Sequence, residues 1–141
     1  MSWILYASAT AVALALADIL IKLGAGRISN SLAVLLYGSC TFLTGLIWVL
    51  LERIRGIPQY AQTSGALAAV GVGVCFSLVT IGLYTTFQTG APISLVSPYV
   101  RLGGLLLASI AGFTLFHELF TWRYAIGMLL VWIGLYLLVT R

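Results

Sequence analysis

Five apolar runs, each long enough to cross a lipid bilayer, constrain this chain more than any other feature of its sequence. A transmembrane helix takes about 20 residues, so five crossings and their short connections nearly use up a chain of 141 residues. Charged residues make up only 7% of the chain, whereas an average soluble domain has roughly a quarter. The sequence therefore predicts a membrane protein with no room for a soluble catalytic domain, and we expect it not to be an enzyme.

The apolar runs predict an all-α integral membrane protein that forms a single transmembrane domain over residues 1–141. Glycine, proline, serine and asparagine cluster where the runs stop, as turns require. The strands of a membrane barrel would alternate apolar and polar residues, and these runs do not. No Lys or Arg precedes the first run, so we expect it to be retained as a span and not cleaved as a signal peptide. The predicted helices are 3–23, 32–51, 66–87, 93–116 and 122–140.

The charge pattern argues against nucleic acid as a partner. The formal net charge of +4 comes from residues scattered along the chain, which is typical of membrane topology and lipid contact and not of a basic nucleic-acid-binding stripe. His117-Glu118 lacks the second histidine of a zinc-binding H-E-x-x-H motif. We expect no metal and no cofactor, and membrane lipid as one partner.

Three charged residues are predicted to lie at membrane depth: Asp18, Lys22 and Arg101. A charge inside the hydrocarbon costs at least about 2.5–3.5 kcal/mol, so each such residue is a functional candidate. At a rise of about 1.5 Å per residue, Asp18 lies roughly 8 Å short of the far interface of a ~30 Å core. Arg101 lies about 12 Å into the fourth helix from that same side. We therefore expect Asp18 and Arg101 to meet.

Two interpretations of these charges remain open. Asp18 and Lys22 are four residues apart on one helical face, so Asp18 could simply neutralise Lys22 or Arg101 while Lys22 reaches to the interface. Alternatively, all three side chains face a substrate cavity. Two bases for one acid leave a surplus of positive charge, which favours an anionic or zwitterionic ligand.

The fourth predicted helix contains Pro98, which removes a backbone hydrogen bond and predicts a kink or local unwinding around Arg101. Broken helices are common where transporters bind substrate, although a kink that serves packing alone is an equal alternative. Ser97 and Tyr99 flank the proline and complete the set of candidate substrate-binding residues with Arg101, Asp18 and Lys22.

The third predicted helix has small residues at four-residue spacing: Gly65, Ala69, Gly73 and Ser77. Helices in lipid approach each other closely through such stripes. We expect this stripe to be a packing face; a dimerisation seam or a cavity lining is the alternative.

Residues 116–127 carry a resemblance to a known family. They read Phe-His-Glu-Leu-Phe-Thr-Trp-Arg-Tyr-Ala-Ile-Gly, which is similar to the F-G-E-R-L-T-x-x-x-x-I-G signature of EamA-type domains in the drug/metabolite transporter superfamily. The matching residues are Glu118, Thr121, Ile126 and Gly127. Two residues depart from the pattern, because His117 replaces a glycine and Arg101 is a cation where related domains have apolar or small residues.

The resemblance implies that the chain is one five-helix unit, half of a ten-helix inverted-repeat transporter. Since alternating access usually relies on two inverted repeats, we expect a dimer, preferably an antiparallel homodimer with dual topology, or a complex with a related half-size partner. The predicted positive charges balance across the membrane, which gives no orientation bias. They are Arg53, Arg55 and Arg123 on the side of the N-terminus, and Lys22, Arg27 and Arg141 on the other.

The function that these features favour is secondary transport of a small anionic or zwitterionic metabolite across the inner membrane. A second hypothesis is a flippase subunit for an undecaprenyl-phosphate-linked sugar, whose lipid phosphate would suit Arg101 and Lys22 equally well. A third is a non-transporting assembly subunit, in which the charges pair with the helices of a partner.

Overall fold

The computed structural model describes residues 2–117, 119 and 121–140. Within these residues the chain forms five α-helices, each long and apolar enough to cross a membrane. The all-helical prediction is confirmed, and the helices are compatible with a multi-pass membrane protein. In chain order they are α1 (Ser2–Gly24), α2 (Asn30–Ile54), α3 (Thr63–Gln88), α4 (Ile93–Leu115) and α5 (Trp122–Val139).

The helices differ in length and in how they end. α3 has 26 residues and α5 has 18. α2 ends in a Schellman motif, in which the Ile57 amide donates to the Glu52 carbonyl at 3.0 Å and the Gly56 amide to the Arg53 carbonyl at 3.1 Å. Gly56 adopts a φ of 70° there, a conformation that a residue without a Cβ reaches at little cost.

The described chain divides into two compact units, Met1–Gly90 and Ala91–Arg141. In the first unit, α3 packs against both α1 and α2. In the second unit, α4 packs against α5. The single transmembrane domain over residues 1–141 stays a prediction.

Most large apolar side chains of the described helices are exposed. Such a surface would be untenable in water, but a bilayer solvates it, because lipid tails are as apolar as leucine. The buried apolar residues within the described ranges are Ala33, Leu83, Phe87, Val96 and Leu135.

The small-residue stripe predicted as a packing face of α3 is not its buried face. A Cβ added at Gly65 or Gly73 would meet no described atom within 4 Å. The buried residues of α3 are instead Thr80, Leu83 and Phe87, which share one face at spacings of three and four residues. Larger side chains in the C-terminal half of α3 therefore make its buried face.

The unwinding predicted at Pro98 does not occur, because α4 is a continuous helix from Ile93 to Leu115 with Pro98 inside it. Proline removes one backbone donor, whereas unwinding would free several backbone groups that lipid cannot satisfy. The kink at Pro98 stays a prediction.

Candidate functional site

A cavity of about 340 Å³ lies among the helices of the first unit. Most of its wall is aliphatic, with residues from α1 and α3. Its polar and aromatic lining residues are Asp18 from α1, Tyr37 from α2, and Phe76, Thr80 and Tyr84 from α3. We call this space the α1–α3 cavity.

Asp18, the acid singled out from the sequence, is a wall residue of this cavity and only 5% exposed. It lies six residues before the last residue of α1, Gly24, which corresponds to about 9 Å along the helix. Asp18 already interacts with other protein groups. A buried carboxylate thus borders this cavity, and a charge within the hydrocarbon of a membrane would be costly.

Thr80 is the second buried polar residue of the wall, at 7% exposed. Its hydroxyl donates to the Phe76 carbonyl at 2.8 Å, so its oxygen lone pairs remain available as acceptors. Thr80 lies eight residues before Gln88, the last residue of α3, or about 12 Å. The sequence analysis missed Thr80, because a hydroxyl that bonds its own helix does not stand out in an apolar run. The available signal was the spacing of three residues from Thr80 to Leu83 and of four from Leu83 to Phe87.

Tyr84, another residue of the cavity wall, lies beside the end of α1. A Cβ added at Gly24 would lie only 3.0 Å from the Tyr84 hydroxyl oxygen, so the phenol packs directly on the backbone of α1. Glycine at position 24 allows this approach.

Lys22 does not belong to the described cavity wall. Its Nζ lies 5.2 Å from the centroid of the Phe87 ring, a cation–π geometry. Phe87 is 3% exposed. The structure therefore places the predicted lysine one helical turn beyond Asp18, against a buried ring of α3.

Hydrogen bonds between side chains connect the start of α2 with the end of α3. Gln88 Nε2 donates to Asn30 Oδ1 at 2.7 Å, and Asn30 Nδ2 donates to Thr85 Oγ1 at 3.2 Å. Thr85 in turn donates to the Ile81 carbonyl at 2.8 Å. We call Asn30, Thr85 and Gln88 the Asn30 cluster; sequence reasoning did not find it.

In the second unit, the structure brings two predicted residues together. Arg101 Nε donates to Ser97 Oγ at 3.3 Å, one turn earlier on α4, and both side chains are half-buried. Tyr99 is an exposed residue of the same helix, at 60%. The predicted meeting of Arg101 with Asp18 spans the two units and stays a prediction.

A hydrogen bond between two side chains joins α4 to α5. The hydroxyl groups of Ser109 and Tyr124 form a hydrogen bond. The Tyr124 ring packs edge-on against Phe113, with centroids 5.3 Å apart. An apolar groove lies beside these two rings, and Trp132 is one of its lining residues. The sequence did not predict what Trp132 faces.

The residues of the family-like segment are only partly described. Glu118 lies outside the described residues, and Gly127 lies in α5. His117 has a φ of 51°, in the left-handed region that favours glycine. Among the described His, Cys, Asp and Glu side chains, no group of three or more could hold a metal ion.

No protein family model, curated protein or solved structure matches this chain. Its resemblance to EamA-type domains therefore rests on residues 116–127 and on the pattern of spans, and it stays a prediction.

Proposed function

We propose that this chain is a secondary membrane transporter of the drug/metabolite type that moves a small anionic or zwitterionic metabolite across the inner membrane. The observation that carries the proposal is the position of Asp18, a buried acid in the wall of the α1–α3 cavity. A carboxylate at this depth is costly, and an apolar residue would pack there without that cost. Contact with a polar transported molecule would give the Asp18 carboxylate a role.

Arg101 is the proposed ligand for the anionic group of the metabolite. Its guanidinium is always charged and presents donors in a planar fork that matches a carboxylate. Ser97 orients this side chain through the 3.3 Å hydrogen bond, and Tyr99 is proposed to add a hydrogen bond. Pro98 is proposed to bend α4 next to this group.

The proposed working form is a dimer, since a single unit of this kind supplies one half of an inverted repeat. An antiparallel homodimer would bring two copies of the α1–α3 cavity into one assembly. A related half-size chain of opposite orientation would serve the same purpose.

Flux through reconstituted protein tests the proposal. Proteoliposomes with the chain should exchange a labelled zwitterionic amino acid or monocarboxylate, and Arg101→Ala should lower the rate by about tenfold or more, the loss expected from one charged hydrogen bond. Arg55→Ala, an exposed residue after α2, is the matched control and should keep its rate. Wild-type flux by Arg101→Ala at equal expression would remove the proposed role of Arg101.

Two other outcomes would assign a different function. Movement of a polyprenyl-phosphate-linked sugar between leaflets, without metabolite flux, would make the chain a flippase subunit. Co-purification with a larger membrane protein, together with no flux from the chain alone, would make it an assembly subunit.

A further inference from the structure

The described wall of the α1–α3 cavity contains one acidic side chain, Asp18, and no basic one. We propose that this cavity binds the ammonium group of a primary amine beside Asp18. The inference rests on the proposed function and narrows its substrate class from anionic or zwitterionic metabolites to those that carry an amine.

The two buried polar side chains of the wall, Asp18 and Thr80, are hydrogen-bond acceptors. The Asp18 carboxylate accepts hydrogen bonds, and the Thr80 hydroxyl has already donated its hydrogen to the Phe76 carbonyl, so its lone pairs can only accept. Both side chains are more than nine-tenths buried. An ammonium group brings three donors and no acceptor, whereas an anion would have only the tyrosine hydroxyls as donors.

The aromatic residues of the wall suit the apolar body of an amine. Tyr37, Phe76 and Tyr84 supply aromatic surface, which attracts cations through the ring quadrupole and packs against an apolar body. A volume of about 340 Å³ equals the share of about eleven water molecules at ~30 Å³ each. The cavity therefore fits the amine-bearing part of a small molecule.

Asp18 already has a partner in the protein, so binding is an exchange. The nearest basic residue on its own helix, Lys22, has its Nζ 5.2 Å from the Phe87 ring centroid and stays outside the wall. The substrate ammonium competes with the present partner for the Asp18 carboxylate.

Binding of two size-matched probes tests the proposal: benzylamine, a cation, and phenylacetate, an anion. The full chain is placed in phosphatidylcholine nanodiscs, whose zwitterionic lipid does not concentrate either probe, and binding is measured by calorimetry. Benzylamine should bind at least about tenfold more tightly than phenylacetate, and Asp18→Asn should remove at least about tenfold of its affinity, as expected for a charge-assisted hydrogen bond.

Glu52→Gln is the matched control. Glu52 is the other described carboxylate, and it accepts the Trp48 indole hydrogen bond at 2.7 Å away from the cavity. This variant should bind benzylamine like the wild type. Within the wall, Tyr37→Leu removes the ring and should weaken benzylamine binding severalfold more than Tyr37→Phe, which keeps it.

Tighter binding of phenylacetate than of benzylamine, or wild-type benzylamine affinity in Asp18→Asn, overturns the inference. If Asp18→Asn does not fold, the two Tyr37 variants provide the test, and equal benzylamine affinities of Tyr37→Phe and Tyr37→Leu then overturn the inference.

The failure of this inference and the failure of the proposed function are distinguishable. Benzylamine binding without any flux overturns transport and keeps the amine site, whereas flux of an anion without amine binding does the reverse.

Discussion

His117 has a left-handed backbone conformation directly after α4, with a φ of 51°. The conformation costs a residue with a Cβ roughly 1–2 kcal/mol, and the EamA-type signature has a glycine here. We expect His117→Gly to raise the free energy of unfolding by about 0.5–1 kcal/mol, because the added freedom of glycine in the unfolded chain offsets part of the gain. The melting temperature in detergent micelles measures this. His117→Ala keeps the Cβ and serves as the control; an equal gain in both variants would contradict the explanation.

Gly24 is predicted not to tolerate a larger residue, because Tyr84 lies close to where the added Cβ would be. An alanine Cβ there would lie 3.0 Å from the Tyr84 hydroxyl oxygen and 3.3 Å from its Cε1, so the phenol must move. We expect Gly24→Ala to lower the melting temperature and to weaken ligand binding in the α1–α3 cavity, since Tyr84 is part of its wall.

Gly45→Ala is the control for this substitution. Position 45 lies inside α2, and an added Cβ there meets no described atom within 4 Å. Alanine should stabilise this helix by about 0.5–1 kcal/mol over glycine. A gain of stability at both positions would show that Tyr84 yields without cost.

At the residue level, the sequence points more clearly to buried charges than to neutral groups. Asp18 stood out because an acid in lipid is costly, and the structure places it in a cavity wall. Phe76 carries no such cost, and nothing in the sequence singled it out. The pairing of Asn30 with Gln88 joins residues 58 positions apart, and no local pattern predicts it.

The Asn30 cluster is a polar connection between α2 and α3. We expect Asn30→Ala and Gln88→Ala to be coupled in a double-mutant cycle by about 0.6 kcal/mol, the average measured for hydrogen bonds between membrane helices, whose maximum is about 1.7 kcal/mol. Unfolding of all four proteins in mixed micelles gives the coupling energy. Ser31→Ala in place of Asn30→Ala is the control cycle and should be additive with Gln88→Ala. Additivity in the Asn30 cycle would mean that the 2.7 Å hydrogen bond contributes nothing.

The spans could be predicted from the sequence because a bilayer demands apolar runs of a fixed length. Their ends could not be predicted to the residue. α2 begins at Asn30 and α3 at Thr63, two and three residues before the predicted starts, because a helix continues into polar residues that an apolar window excludes. The buried face of α3 was missed because small residues mark close approach only where a second helix lies against them.

At the level of the whole molecule, the balanced positive charges predict insertion in both orientations. A C-terminal tag should be accessible to an impermeant protease from each side of the membrane, in roughly equal fractions, as measured in right-side-out and inverted vesicles. Tyr60→Lys adds a positive charge at an exposed connection and should shift the population towards the orientation with this residue in the cytoplasm. A single orientation of the wild-type chain would exclude the antiparallel homodimer.

The unequal helices give this protein a preferred membrane thickness. At a rise of ~1.5 Å per residue, the 18 residues of α5 reach about 27 Å and the 26 residues of α3 about 39 Å. A long helix absorbs mismatch by tilting, whereas a short one must thin the lipid around it. Lengthening the acyl chains of the host lipid therefore strains α5 before α3.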